Sequence, residues 1–338
     1  MEVQCGEFLR LEGVSKHWPG GVGVEDLNFS LGNGEIVGLV GRTGAGKSTV
    51  LRLIAGLEAC ESGRIFNSGQ EMTSVEPHLR GVSMIFQRPV FYPGRMLTKD
   101  LKEAEKKGVL KRWQMQSITL DWLIEELQLS EKVLSQRPET FSGGEARRAS
   151  ILNAMLQDRP IILADEPITG LDPDTRERVS RLLWKFVRRT GKAMIVVLHE
   201  PADALGMADR IIVLQRGRIV QEGSPSELLE QPESVEVIKL LHFPPANEVT
   251  FFLENAGHDR VFVSPQHTFA TMTEASEGEI RVNYLRDRWV AGVIYSEWVT
   301  PENSHIYWTP KPAEKMENAL LKWDNSREMR IRRIDQKK

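Results

Sequence analysis

An α/β core built on a mostly parallel sheet, carrying a helical insertion and followed by a smaller β-rich domain, is the architecture this sequence predicts. Three observations predict it. Apolar runs at Glu35–Val40, Ile161–Ala164 and Ala193–Leu198 alternate with segments of helical apolar spacing, the pattern of a parallel sheet covered on both faces. Between Gln87 and Phe141 the chain turns helical and charged (LTKDLKEAEKK, then Leu120, Leu123, Ile124 and Leu127). From Phe243-Pro244-Pro245 onward, short β-like runs (VTFFL, RVFVS, EIRVNYL, WVAGVIY, HIYW) are punctuated by Gly, Pro and Asn, which suits a small barrel. The expected boundaries are residues 1–242, with residues 88–150 as the helical subdomain, and residues 246–338.

Composition agrees with this plan. A chain of 338 residues and 38.3 kDa has room for two domains, and 41% hydrophobic with 27% charged residues is the balance of a chain that folds on its own. A net charge of -3 and a pI near 6.2 supply no basic face, so no nucleic acid is expected as a partner. Only Cys5 and Cys60 are present, without metal spacing, which suits a reducing compartment. No stretch reaches the roughly 20 apolar residues of a membrane helix, and acidic Glu2 and Glu7 are unlike a signal peptide. A soluble chain is expected, whose membrane role would need partners. The closing REMRIRRIDQKK is basic and reads as a solvated tail.

At the amino end, Phe8, Leu11 and Val14, then Leu27, Phe29 and Leu31, alternate with polar residues between breaks at Gly20-Gly21 and Gly32-Asn33-Gly34. Short antiparallel strands are predicted. Glu35–Val40 (EIVGLV) is a buried strand running into Gly41–Ser48 (GRTGAGKS), after which Val50, Ile54 and Leu57 recur at helical spacing. Strand, glycine loop and helix are the context of a phosphate-binding loop. Its glycines let backbone N–H groups approach phosphate oxygens, Lys47 meets the β- and γ-phosphates, and Ser48 can ligate Mg²⁺. A nucleoside triphosphate is the expected ligand, held by Gly41, Arg42, Thr43, Gly44, Ala45, Gly46, Lys47, Ser48 and Thr49.

Ile161–Ala164 lies between Pro160 and Pro167 and ends in Asp165-Glu166, at the strand edge where open α/β sheets gather ligands. Asp165 suits the magnesium, usually through water, and Glu166 can polarise an attacking water, the two requirements of phosphoryl transfer. An exposed strand-end carboxylate pair is the bland alternative. Asp172-Pro173 opens a helix with Val179, Leu182, Leu183, Phe186 and Val187 on one face, closed near Gly191. Ala193–Leu198 ends at His199. Ser142-Gly143-Gly144-Glu145 precedes a helix containing Ala146, Ala149, Leu152, Met155 and Leu156. Open amides, a hydroxyl and the positive helix end there make an anion site or, equally, an ordinary N-cap.

Taken in order, GRTGAGKS, SGGE and ILADE resemble the motifs of the ATP-binding cassette (ABC) ATPases, over about residues 8–235. The resemblance implies a P-loop NTPase core with an inserted helical subdomain, the cofactors ATP and Mg²⁺, and a site assembled between two cassettes. In it, Ser142, Gly143, Gly144 and Glu145 of one cassette contact the γ-phosphate held by the other. Glu145 stands where Gln is usual, and Phe141 where Leu is common. The resemblance further implies Gln87 at the magnesium and attacking water, Asp172 in a loop crossing the dimer interface, His199 on the γ-phosphate and Trp18 stacking on adenine. For Trp18, a packed aromatic is the competing reading. The implied catalytic set is Glu166, His199 and Gln87, and the implied magnesium set Ser48, Gln87 and Asp165.

Phe91-Tyr92-Pro93 and Met96-Leu97-Thr98 look like the corresponding segment of ATPase subunits from carbohydrate and polyol importers of the maltose type. Val263-Ser264-Pro265-Gln266-His267 resembles an R-P-E-H element of their oligonucleotide-fold β extension, with Ser264 and Gln266 in place of Arg and Glu. The implied partners are a second ABC ATPase subunit, identical or divergent, two transmembrane permease subunits and an extracytoplasmic solute-binding protein. They would place the chain peripherally on the cytoplasmic face of the inner membrane, energising uptake of a carbohydrate or polyol. An importer of anions or other solutes, or an exporter, remains open. Non-transport ABC ATPases are a more distant alternative, since a short interval separates Ser48 from Ser142 and one cassette is present.

Overall fold

The computed structural model describes residues 7–20, 22–241, 247–253, 257–263, 268–271, 280–290, 293–299, 306–310 and 318–323. They divide into two compact units, Met1–Pro225 and Ser226–Lys338. In chain order the first holds β1 (Glu7–Trp18), β2 (Val22–Gly32), β3 (Ile36–Val40), α1 (Lys47–Ala55), β4 (Ser62–Asn67), β5 (Gln70–Glu71) and β6 (Val82–Ile85). The helical insertion follows as α2 (Leu97–Lys106), α3 (Val109–Met115), α4 (Leu120–Glu126) and α5 (Glu131–Ser135). Then come α6 (Gly143–Leu156), β7 (Ile161–Asp165), α7 (Pro173–Thr190), β8 (Ala193–Val197), α8 (Pro201–Met207), β9 (Arg210–Gln215) and β10 (Arg218–Gly223).

The central sheet runs β10-β9-β3-β8-β7-β6, parallel from β9 to β6 with β10 antiparallel at one edge. β3, β7 and β8 are buried along their whole length, as continuous apolar strands are in sheets covered on both faces. A second sheet, β2-β1-β4-β5, is antiparallel. Its strands at the amino end are longer than the short pieces expected. Leu11 and Val14 break strict alternation, but the register shifts between them, and such a bulge absorbs the extra residue so that one strand continues. Helix α1 contacts both sheets, and its Val50, Leu51, Leu53 and Ile54 share one core with Leu11, Leu27, Leu39, Leu163 and Ile195.

The insertion is seated on α7. Trp113 of α3 is fully buried and meets Phe186 edge-to-face, with ring centroids 5.4 Å apart. Asp158, past the end of α6, accepts from Lys192 Nζ at 2.8 Å and from Trp113 Nε1 at 3.4 Å, and pairs with Arg112. Asp172 caps α7 by accepting from Thr175 N at 3.0 Å, and Gly191 closes the helix in the left-handed conformation.

From α9 (Pro225–Glu230) and α10 (Val235–Leu241) the chain passes to β11 (Asn247–Leu253) and β12 (Gly257–Val263), an antiparallel pair. β13 (Thr268–Thr271), β14 (Ile280–Val290), β15 (Val293–Val299), β16 (Ile306–Pro310) and β17 (Asn318–Trp323) form an antiparallel sheet in the order β13-β17-β14-β15-β16. Its edge strands β13 and β16 contact each other. Ser264 to His267, the Phe243-Pro244-Pro245 boundary, Cys5 and the basic closing stretch lie outside the described residues. Among the described residues no helix is long and apolar enough to cross a membrane.

Candidate nucleotide site

Parallel pairing brings the carboxyl ends of β3, β8, β7 and β6 to one edge, with Leu39 opposite Val197, Asp165 opposite Val197, and Ile85 opposite Ala164. The loop Gly41–Gly46 leaves β3 at this edge and enters α1 directly, with Gly46 as its N-cap. Two glycines there answer to space. A Cβ on Gly41 would collide with the Leu214 carbonyl, and one on Gly46, at φ +103°, would sit 2.6 Å from Val24 Cγ1. Arg42, Thr43 and Gly44 are exposed, whereas Ala45 is buried. Exposed loop amides at a helix start form a ready cradle for phosphate oxygens.

Lys47 begins α1 and is 8% exposed. Its ammonium donates to Gly41 O at 2.7 Å and Arg42 O at 3.1 Å. Burial pulls its pKa down, and the nearby Glu166 and Asp165 charges work against that. Ser48 Oγ donates to Asp165 Oδ1 at 3.1 Å. Asp165, at the end of β7, is 4% exposed. Burial raises its carboxyl above the ordinary value, opposed by the Ser48 hydrogen bond. A magnesium ion fits this donor set. Hydroxyl and carboxylate are hard oxygen ligands, and among the described residues no group of three or more His, Cys, Asp or Glu would cage a metal by itself. Magnesium commonly binds through few protein oxygens, keeping waters and substrate phosphates as its other ligands.

Glu166 has φ +50°, a left-handed conformation that costs a non-glycine residue about 1–3 kcal/mol and clusters at functional sites. Its amide donates to Val197 O at 3.2 Å, and its carbonyl accepts from Thr169 N at 3.3 Å and Arg147 Nη1 at 3.0 Å. Gln87, two residues past β6, donates to Glu166 Oε2 at 3.0 Å. Lys47, Ser48, Asp165, Glu166 and Gln87 are therefore one connected group. His199 lies two residues past β8 on the same edge, exposed.

Ser142 to Glu145 follow a different pattern. Ser142 Oγ accepts from Glu145 N at 3.3 Å while Glu145 Oε2 accepts from Ser142 N at 2.8 Å, a reciprocal capping box. The Ser142 amide first, and the Ser142 side chain after it, hold the Glu145 carboxyl below its ordinary value. The hydroxyl counted toward an anion site thus has a structural task, while the amides of Gly143 and Gly144 stay in the unpaired first turn. Asp172 is held below its usual range by its hydrogen bonds to Thr175. Trp18 is half-buried at the end of β1, opposite Val22, with the Lys16 ammonium 5.8 Å from its ring centre. The adjoining Val24 abuts Gly46, which brings this hairpin beside the phosphate loop. Arg147 was not expected at the site: an arginine in the first turns of a helix reads as solvated, and nothing local shows that it reaches Glu166.

A family profile described as ABC transporter matches residues 24–169. The maltose/maltodextrin import ATP-binding protein MalK of Vibrio cholerae is 36% identical over 245 residues, 71% of this chain and 64% of that protein. Its counterpart from Escherichia coli O6:H1 is 32% identical over 255 residues, 75% of this chain and 68% of that protein. The chain thus spans about 64% of the length of the first of these relatives. Among solved structures, the ATP binding subunit of an ABC transporter superposes with a TM-score of 0.58 at 27% identity, covering 66% of this chain and 92% of that one. A post-hydrolysis dimer of the ATP-binding cassette MJ0796, bound to ADP and Pi, superposes with a TM-score of 0.55 at 25% identity over 64% of this chain and 98% of that one. With two thirds of the Escherichia coli protein covered at 32% identity, this chain belongs to the ABC transporter ATP-binding family.

Proposed function

We propose that this chain is the ATP-hydrolysing subunit of an ABC importer, energising uptake of a small solute through partner membrane subunits. The observation that carries the reading is the connected group at one sheet edge: Lys47 for the phosphates, Ser48 and Asp165 for magnesium, and Glu166 aligned by Gln87. Bound magnesium would neutralise charge on the phosphates. Glu166 would accept the proton of the attacking water, and Gln87 would orient that carboxylate. His199, on the same edge, would reach the γ-phosphate, and Trp18 would stack on adenine.

The signature residues Ser142 to Glu145 and the Asp172 loop would serve a nucleotide held by a second ATPase subunit, identical or divergent. The dimeric state of the MJ0796 cassette supports that reading. The maltose/maltodextrin role of the relatives supports a carbohydrate or polyol as the solute, with two permease subunits and an extracytoplasmic binding protein as partners, and a peripheral place on the cytoplasmic face of the inner membrane. Residues 1–242 would form an ATPase domain and residues 246–338 a regulatory or dimerisation barrel of oligonucleotide-fold type, the latter supported by the contact between β13 and β16.

The test is Glu166→Gln in the assembled complex. Steady-state ATP hydrolysis should fall by about 10²- to 10⁴-fold while ATP is still bound; unchanged hydrolysis rejects Glu166 as the general base. Mass spectrometry of what copurifies from native membranes in mild detergent should find a permease pair and a solute-binding protein. Ribosomal proteins or DNA without any membrane protein would reject import.

A further inference from the structure

We infer that Arg147 is a positioning residue for Glu166, tying the helix begun by the signature residues to the attacking-water site of the same cassette. The inference rests on the reading of Glu166 as general base. Glu166 is held at its amide by Val197 O, at its carboxylate by Gln87 Nε2 and at its carbonyl by Thr169 N. These contacts come from the strand ends and the adjoining turn. Arg147 Nη1, 3.0 Å from the same carbonyl, is the contact that reaches Glu166 from α6.

Two features mark this contact as more than a surface arginine finding an acceptor. Arg147 is half-buried, and burial depresses its guanidinium while the Glu166 and Asp165 charges work to sustain it. A guanidinium kept in that position supplies a cation beside both carboxylates as well as a donor to the backbone. The carbonyl it holds belongs to a residue at φ +50°, a conformation that persists only where its surroundings enforce it. Any movement of Ser142-Gly143-Gly144 against a nucleotide would carry Arg147 two turns or less along the same helix, and with it the backbone from which the Glu166 side chain projects. The Glu166 carboxylate is thus set by its own strand, by Gln87 and by the signature helix together.

The test is the full-length protein with Arg147→Met and Arg147→Lys, each also combined with Glu166→Gln. Arg147→Met should lower kcat for ATP hydrolysis about 10-fold, with KM for ATP moving less than about 2-fold, because a displaced carboxylate impairs the chemical step and leaves the phosphate cradle intact. Arg147→Lys should recover part of kcat, since an ammonium can still donate to the Glu166 carbonyl. In the Glu166→Gln background Arg147→Met should cost little further, as expected of residues acting as a unit. Equal losses in both backgrounds, or a loss confined to KM, would overturn the inference. If Arg147→Met fails to fold, Arg147→Lys decides alone: kcat equal to that of the unmutated protein overturns it, and a kcat loss that vanishes with Glu166→Gln sustains it. Full hydrolysis by Glu166→Gln would instead reject the general-base reading, a result separable from normal hydrolysis by Arg147→Met with Glu166→Gln inactive.

Discussion

Gln87 donates its side-chain amide to the Glu166 carboxylate at 3.0 Å, each residue lying two positions beyond the paired strand residues Ile85 and Ala164. The parallel register of β6 and β7 therefore sets this contact. Gln87→Ala should lower kcat for ATP hydrolysis by about 10-fold through misplacement of the carboxylate, with a smaller change in KM. Steady-state kinetics on the intact protein checks this.

Lys47 places a buried cation on the carbonyls of its own loop, where burial depresses its pKa. Lys47→Ala should weaken ATP binding by about 10- to 100-fold, the equivalent of one charge-assisted hydrogen bond of about 1.5–3 kcal/mol. Removing a desolvated ammonium should not lower thermal stability. Titration calorimetry with ATP and a melting curve separate the two effects.

Gly46 combines φ +103° with a Cβ position 2.6 Å from Val24 Cγ1. Gly46→Ala should destabilise the first unit by about 1–3 kcal/mol, from backbone strain and overpacking together, and should weaken ATP binding in parallel. Thermal denaturation with and without ATP gives both readings.

Asp158 joins Lys192, Arg112 and Trp113. Burial pushes its carboxyl up, but the hydrogen bonds from Lys192 and Arg112 prevail and hold it below the ordinary value. A depressed carboxyl contributes stability that is present above its unfolded pKa of about 3.9 and is lost as pH falls through the lower folded value. Asp158→Ala should cost about 1–3 kcal/mol at pH 7, and the gap to the unmutated protein should narrow below about pH 4. Urea unfolding at the two pH values measures it.

Much of the fold could be read from local pattern. Strand β3 running into GRTGAGKS and α1, the strand ending at Asp165, and the Asp172-Pro173 to Gly191 helix all stand where their residues predict, because caps, glycine turns and continuous apolar runs act over a few neighbours. The amino-terminal strands read as shorter than they are, because the bulge between Leu11 and Val14 breaks the alternation inside the long β1. Ser142-Gly143-Gly144-Glu145 carried two readings, anion site and N-cap. The capping box belongs to the second, and the first turn it leaves open is compatible with the first.

By itself the sequence determined the kind of site: a phosphate loop, a carboxylate pair at a strand end, and a capped helix bearing the signature residues. Each is a feature of contiguous residues. Only the tertiary structure decided how these parts meet. Gln87 and Glu166 lie 79 positions apart yet share a hydrogen bond, Ser48 and Asp165 meet across 117, and Arg147 reaches the Glu166 backbone from a separate helix. Such contacts depend on strand register and helix packing, which arise from burial of the whole core, so no short stretch of chain encodes them.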